Sequence, residues 1–466
     1  MQDEDLYSIW PQHLTRGGGP RYRQIADFIE VAVAENQLQP GDRLPPQRGL
    51  AQRLGVDLTT VTRAYAEAGQ RGLLDPRGAL GTFIARPAAQ SAQLIDLGMN
   101  MPPVPLGCDL QELVQRGLAK VMDRHDVNVM MAYHLAGGSP DDRSAGAQWL
   151  AQAVGPIDPE RVLVCPGAQA ALAALILALS QPGDSIIAEP LVYPGLLNAA
   201  QHLGRHVLAA EVDDDGMTPS GLERACRESG SRLVYLNPTL QNPTTHTMSA
   251  RRRRDLVRSA SACGARIIED DPYRLFLDDA PPPLASLAPA SVFYIATLAK
   301  CLTPGLRTAF VLSPDQDSRT RVMAAMRSFA LMATPLMSAL ATQWIVSGTA
   351  QTVLNGVRAE AQARQRVARK LLPGPFGAAA VGIHLWQPLP SQWMAADLAR
   401  VARDEGLSVA SSDAFQVDTA VMGNAAHNAI RISLGGVKDR QALADALEKL
   451  ARLIRRRPAF QRDPIV

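Results

Sequence analysis

The chain has 466 residues, 47% of them hydrophobic, with 47 basic against 45 acidic side chains and a formal net charge of +2. That length exceeds what one core usually holds, so two or three domains are expected, and a near-neutral balance neither points to nucleic acid nor excludes it. No apolar run is long enough to span a bilayer, and the opening MQDEDLYSIW lacks the apolar stretch of a signal peptide. The five cysteines, Cys108, Cys165, Cys226, Cys263 and Cys301, show no metal-ligand spacing. They read as reduced thiols in a cytoplasmic protein with no metal.

From Pro20 to Asn36 apolar residues fall at helical spacing: Ile25, Phe28, Ile29, Ala32 and Val33. The stretch Gln37 to Asp42 breaks that helix with turn chemistry around Pro40-Gly41. A short helix then runs through Leu54, with Pro46 suited to its first turn. Gly55 ends it, and Asp57 is placed to cap another from Thr59 to about Arg71. Gly72-Leu73-Leu74, the turn Asp75-Pro76-Arg77-Gly78 and the run Gly81-Thr82-Phe83-Ile84 read as strand, turn and strand, which is a wing. The segment PGDRLPPQRGLAQRLGVDLTTVTRAY, followed by GLL and GTFI, resembles the GntR-type winged helix-turn-helix over residues 1–85. The resemblance implies that Thr59, Thr60 and Arg63 meet double-stranded DNA in the major groove, with Arg43 and Arg48 on phosphates or base edges. Leu58 stands where many relatives carry arginine, so base readout there would differ, for instance by contact with a thymine methyl.

Residues 86–97, opening Arg86-Pro87-Ala88-Ala89, are small, polar and proline-broken and read as a linker to a second body of residues 98–466. From Val162 onward strand-like and helix-like runs alternate: RVLVC, AQAALAALILALSQ, DSIIAEP, a helix near Gly195 to Leu203, HVLAAEV, RLVYL and ARIIEDD. This is the pattern of a doubly wound α/β domain with a largely parallel sheet. Such sheets bind ligands at the carboxyl ends of their strands. The run Arg251 to Arg254 reads as a solvated helix start.

The strand ends carry the chemistry. Gly167-Ala168-Gln169 joins a strand to an apolar helix, whose free N–H groups can hold a phosphate. Tyr193 follows the next strand and can stack on a flat ring; Asn237 and Gln241-Asn242 offer amides to a ring hydroxyl, and Glu269-Asp270-Asp271 a carboxylate for a protonated ring nitrogen. Of the five lysines, Lys120, Lys370 and Lys449 lie in charged helical stretches and Lys438 in a turn. Only Lys300 sits at a strand end, after Val292 to Ala296, with no other charge until Arg307. An amine so placed has a lowered pKa, as a Schiff-base lysine requires. Arg307 can fork onto a phosphate. Cys301 is a packing residue.

The ordered set GAQ, EPLVYPG, QNPT, EDDPY, AK and PGLR resembles the fold type I, aminotransferase class I/II family of pyridoxal 5′-phosphate (PLP) proteins, from about Tyr133 to the C-terminus. The resemblance implies a large domain of about 125–330 and a small C-terminal α+β domain of about 331–466. It makes Lys300 the catalytic, aldimine-forming lysine and Asp270 the partner of the pyridine nitrogen. Tyr273 and Asn242 would contact the ring hydroxyl and Tyr193 would stack on the ring. Gly167, Ala168, Gln169, Thr297 and Arg307 would hold the phosphate, with Tyr133 reaching that of a second subunit. Arg431 would grip a substrate α-carboxylate. Ala299, unlike Thr297, has no hydroxyl to give the phosphate.

A winged helix ahead of such a body resembles the MocR group of GntR-type regulators. That implies a domain-swapped homodimer in which the large body senses PLP itself, or an amine or amino-acid effector, and regulates transcription. The alternative is a working aminotransferase with an accessory winged helix. The same residues serve both readings, because the cofactor supplies the electron sink in either.

Overall fold

The computed structural model describes residues 10, 19–35, 37–39, 41–76, 81–84, 94–124, 126–374, 376, 381–417 and 428–457. Two compact units follow one another, Met1–Leu94 and Ile95–Val466. Residues 86–93 of the expected linker and 77–78 of the expected turn lie outside the described residues.

In the first unit α1 (Arg21–Ala34), α2 (Gln47–Leu54) and α3 (Leu58–Gln70) close on a core that includes Ile25, Ile29, Leu50, Leu54, Val61 and Tyr65. Pro46 stands one residue ahead of α2 as its N-cap, not within its first turn. Gly55 ends α2 at φ 62°, a conformation that penalises side chains. The wing pairs β1 (Leu74–Pro76) antiparallel with β2 (Thr82–Ile84). Strand β1 therefore begins two residues later than expected and includes Asp75 and Pro76, which an edge strand tolerates. Leu44 N–H donates to Thr82 O at 2.8 Å and Gly41 N–H to Ile84 O at 3.0 Å, so the turn before α2 is bound to the wing.

The second unit is organised by a seven-stranded sheet. A short strand β3 (Ile95–Asp96) comes first, then β4 (Val162–Cys165), β5 (Ser185–Ala188) and β6 (His206–Ala209). A small hairpin, β7 (Val212–Asp213) and β8 (Gly216–Met217), precedes β9 (Leu233–Leu236), β10 (Arg266–Asp270), β11 (Val292–Thr297) and β12 (Ala309–Leu312). The sheet order is β4-β12-β11-β10-β9-β5-β6. Strand β12 runs antiparallel to both neighbours, and the other pairs are parallel. Val162 and Val164 enter one apolar layer, Leu163 and Cys165 the other. Burial on both faces is why these strands read as unbroken apolar runs.

A smaller antiparallel sheet, β13 (His384–Pro388), β15 (Ala410–Ser411) and β16 (Ala429–Ser433), packs with the helices Ala395–Asp404 and Arg440–Arg455 around a second core. Between them in sequence, β14 (Leu407–Ser408) pairs in parallel with β3. Residues 95–97, read above as linker, therefore belong to this unit, with Leu97 fully buried. The boundary expected near 330 also moves. The helix Pro335–Val346 packs in the large core through Leu340, Ala341 and Trp344. The helix Thr349–Leu371 then runs from that core, at Val353, Leu354 and Val357, to the smaller one at Ala368. The division lies inside a helix.

Arg253 corrects the expectation of a solvated arginine run. Arg251 is exposed, but Arg253 is wholly buried. Its Nε donates to Met248 O at 3.0 Å, and its Nη2 to Pro238 O at 2.8 Å and Thr239 Oγ1 at 3.0 Å. The Glu269 carboxylate stands 3.8 Å from its Nη1. Removing one partner of a buried ionic group leaves the other without compensation. Arg253→Met is expected to cost about 3–5 kcal/mol in urea unfolding of the second unit, whereas Arg251→Met should cost under about 0.5 kcal/mol.

Candidate functional site

The antiparallel direction of β12 assembles the site. Register places Thr297 opposite Ala309 and Ala309 opposite Cys165. The start of β12 thus lies level with the carboxyl ends of β4 and β11, and Arg307, just before it, faces the same edge. After β4, Gly167 at φ 95° turns the chain into the helix Ala168–Leu179. A Cβ at Gly167 would meet Arg307 Nη2 at 3.1 Å, so the guanidinium lies against that turn. The first N–H groups of a helix have no intrahelical acceptor and carry positive partial charge. With Arg307 they make an anion cradle. Gln169 is tied back by Nε2 donating to Gly195 O at 2.8 Å, while its buried Oε1 has no partner among the described residues. Thr297 Oγ1 caps the short helix Leu298–Cys301 by accepting Ala299 N–H at 3.2 Å.

Asp270 ends β10, buried. Its Oδ2 accepts from the Tyr235 hydroxyl at 2.8 Å, while Oδ1 is buried with no partner among the described residues. Burial pushes the carboxyl up to about 6, and the Tyr235 bond opposes that shift. Its neighbours turn elsewhere: Glu269 accepts from Leu284 and Ala285 N–H, and Asp271 from the Tyr294 hydroxyl. Lys300 is lowered to about 8 by burial first, then by the Arg431 and Arg307 charges, with Asp270 acting against them. Its Nζ donates to Asn100 O at 2.5 Å.

The Tyr273 hydroxyl accepts from Asn100 Nδ2 at 2.8 Å, and its ring lies 5.3 Å from that of His384. Burial holds the His384 imidazole down at about 3, so it is neutral at physiological pH. Arg431 is buried over the Phe415 ring at 4.9 Å. Its Nη1 donates to Asn242 Oδ1 at 2.8 Å and its Nη2 to Gly98 O at 2.5 Å; its Nε is unpartnered among the described residues. Asn242 Oδ1 therefore faces Arg431. Tyr193 starts the helix Pro194–His202, and burial raises its phenol pKa, with the Asp270 charge adding and Arg431 and Arg307 opposing. Tyr133 stands apart from this set, 76% exposed.

Several site residues escape sequence reasoning. Tyr235 and His384 are lone polar rings in apolar strands, a weak signal that more often means core. Asn100 and Gly98 come from the stretch read as linker edge, and only the fold brings them to Lys300.

In the first unit Asp57 Oδ1 accepts both the backbone N–H and the hydroxyl of Thr59, at 2.8 and 2.6 Å. Thr60 is half-buried, and Arg43, Arg48 and Arg63 are exposed. The Arg63 guanidinium lies 4.1 Å from the Tyr22 ring centroid. Thr62 Oγ1 donates to Gln47 Oε1 at 2.8 Å, linking α3 to α2, and Leu58 opens α3 at 38% exposed.

A family model described as aminotransferase class I and II matches residues 92–450, and one described as bacterial regulatory proteins, gntR family, matches residues 21–84. The chain is 28% identical to YdeF, an HTH-type transcriptional regulator of Bacillus subtilis, over 97% of this chain and 98% of that one. It is also 28% identical to PtsJ, the vitamin B6 salvage pathway transcriptional repressor of Salmonella typhimurium, over 90% and 96% respectively. Among solved structures, LysN, an alpha-aminoadipate aminotransferase of Thermus thermophilus, superposes with a TM-score of 0.69 at 22% identity, covering 84% of this chain and 98% of that one. That likeness shows the fold.

The lowered Lys300 pKa sets a pH dependence. Only the neutral amine attacks a carbonyl, and here half of it is neutral at about pH 8. Borohydride-trapped capture of an aldehyde at Lys300 should therefore rise with pH and level off above about pH 8. An ordinary lysine would keep rising past about pH 10. Lys300→Arg should abolish the trapped adduct, read by peptide mass.

Proposed function

Because the chain belongs to the aminotransferase class I and II family and carries a gntR-family module ahead of that body, we propose that it is a DNA-binding transcriptional regulator that senses PLP or an amine-bearing effector. This is the domain order of MocR-type regulators. The observation that carries the reading is the winged helix itself, which a metabolic aminotransferase has no use for. Relatives alike over nearly the whole chain are named as transcriptional regulators, one of them of vitamin B6 salvage.

PLP is the cofactor of this body, and the residues fit it. The unpartnered Asp270 Oδ1 suits a protonated ring nitrogen, the pyridine N–H supplying the bond that the buried oxygen lacks. Arg307 and the N–H groups of Ala168 and Gln169 hold a phosphate, with Gly167 leaving room for its approach. Thr297 adds a hydroxyl beside them. Tyr273 and Asn242 direct polar groups to a ring oxygen, and Tyr193 covers one ring face. Lys300 presents a partly neutral amine. When bound, the cofactor supplies an aldehyde that condenses with amines. Arg431, buried and borrowing a backbone carbonyl, is the group to grip an effector carboxylate.

The same reading includes a homodimer. Val127, Val129, Met131, Tyr133 and Leu135 are all more than 40% exposed, an apolar run that a second copy would cover. Tyr133 would then reach the partner's phosphate. Among the described residues no helix is long and apolar enough to cross a membrane; the setting proposed is cytoplasmic. In the first unit Thr59, Thr60 and Arg63 would read bases and Arg43 and Arg48 would fix the docking.

The purified protein should be yellow, and Lys300→Ala should lose the band that borohydride removes. Titrated against its own upstream DNA and a scrambled duplex, Thr60→Ala should lose about 5–150-fold on the true site and little on the scrambled one, the worth of one base contact. Arg48→Ala should weaken both alike and flatten the salt dependence by about one phosphate. Indifference to every genomic duplex, with steady transamination of an amino acid, would establish the enzyme instead.

A further inference from the structure

Lys300 and Arg431 share one neighbour. Lys300 Nζ donates to Asn100 O and Arg431 Nη2 to Gly98 O, each at 2.5 Å. Both acceptors belong to the stretch Leu97–Met101, which follows β3 and, in sequence, the residues that lead from the first unit.

The stretch is seated by other bonds as well. Gly98 and Met99 N–H donate to Asp96 Oδ1 at 2.8 and 2.9 Å, and Ser433 N–H donates to Leu97 O at 2.7 Å. Asn100 Nδ2 reaches the Tyr273 hydroxyl at 2.8 Å and His384 Nδ1 at 3.2 Å. Gly435 leaves room for it, since a Cβ there would stand 1.8 Å from Met101 O. Met99, by contrast, is 60% exposed. The stretch is built to lie down, and the bonds from Lys300 and Arg431 are its charge-assisted ties to the site.

Those two bonds last only while the cations have nothing better to face. When the Lys300 amine condenses with an aldehyde, nitrogen bonds to the carbonyl carbon. One water leaves with the aldehyde oxygen and both amine hydrogens, the hydrogens that could be offered to Asn100 O. A guanidinium given a carboxylate exchanges a neutral carbonyl for a charged partner. Both anchors are on groups that a ligand would claim.

We propose that Leu97–Met101 is a strap held down by Lys300 and Arg431 and let go when ligand takes them, and that its release changes how the DNA-binding unit is tethered. The proposal rests on the reading that the second unit holds PLP and the first binds DNA. A ligand shifts an equilibrium only by its different affinity for two states; here the states are strap down, with both cations on carbonyls, and strap free.

Hydrogen exchange and DNA titration of the full chain, with and without saturating PLP, test it. PLP should speed exchange of the amides of residues 97–101 at least about five-fold and change DNA affinity within the usual coupling range of roughly 5–150-fold. Asp96→Ala unties Gly98 and Met99 and breaks no hydrogen bond of Lys300 or Arg431, although it removes a negative charge that acts on Arg431. It should give the cofactor-free protein the DNA affinity of the PLP-loaded wild type, with the visible band of bound PLP unchanged. Gly435→Ala should do the same by displacing Met101, and serves where Asp96→Ala folds poorly. PLP binding with unchanged or slower strap exchange overturns the proposal. So does a loosened strap in either variant with wild-type DNA affinity. If the protein ignores PLP or DNA altogether, the reading beneath fails and the strap with it.

Discussion

At the carboxyl edge of the large sheet Lys300 lies under the opposed influence of one buried carboxylate, Asp270, and two guanidiniums, Arg307 and Arg431. Asp270 is buried there with Lys300, Arg307 and Arg431 acting on its surroundings, and the imbalance governs the rest of the site. Desolvation penalises each charge, and like charges penalise one another. The amine responds by giving up its proton more readily, and Arg431 by taking a side-chain amide and a backbone carbonyl. An added anion such as the phosphate of PLP balances such a place. The reversed strand β12 makes the crowding possible, since in a wholly parallel sheet the residue preceding that strand would emerge at the opposite edge.

Much of this was legible in the chain. A lysine isolated at a strand end, an acidic triplet after one apolar strand and a glycine turn after another each follow from where α/β sheets keep their ligands. Which carboxylate of Glu269-Asp270-Asp271 faces the site is decided by the pleat, which turns Glu269 toward the Leu284 amide. The contribution of Asn100 was not legible. It lies 200 residues from Lys300 in sequence, and nothing in a small, polar stretch announces a parallel pairing with Leu407–Ser408. Arg253 misled for the opposite reason: a run of four arginines says solvent, yet helical spacing buries one of the four among carbonyls. The domain boundary was hidden because helical periodicity continues unbroken through it.

The first unit shows how a near-neutral module can still present cations. Arg71 is spent internally, on Asp27 and Glu30 at 2.6 and 2.7 Å and on Glu67 at 3.2 Å. Arg63 is instead held over an aromatic face, which orients a guanidinium while leaving its N–H edge outward. Three of the acidic residues that lower the net charge, Asp27, Glu30 and Glu67, are thus engaged on α1 and the end of α3, while Asp57 is engaged as the cap of α3. Local arrangement, more than total charge, decides what such a module offers to a groove.

The helix Thr349–Leu371 has a consequence for how the chain can change length. Its 23 residues span about 35 Å, and both cores are keyed to it, one through Val353, Leu354 and Val357, the other through Ala368. Arg364 adds a third key, donating to the carbonyls of Leu434 and Val437. A single residue inserted or deleted between Val357 and Arg364 would turn everything beyond it by about 100°. Ala368 and Arg364 would then face away from their sockets. The two cores are phased to one another like cams on a shaft, so length variation over evolution must be confined to loops, and this helix must keep its residue count.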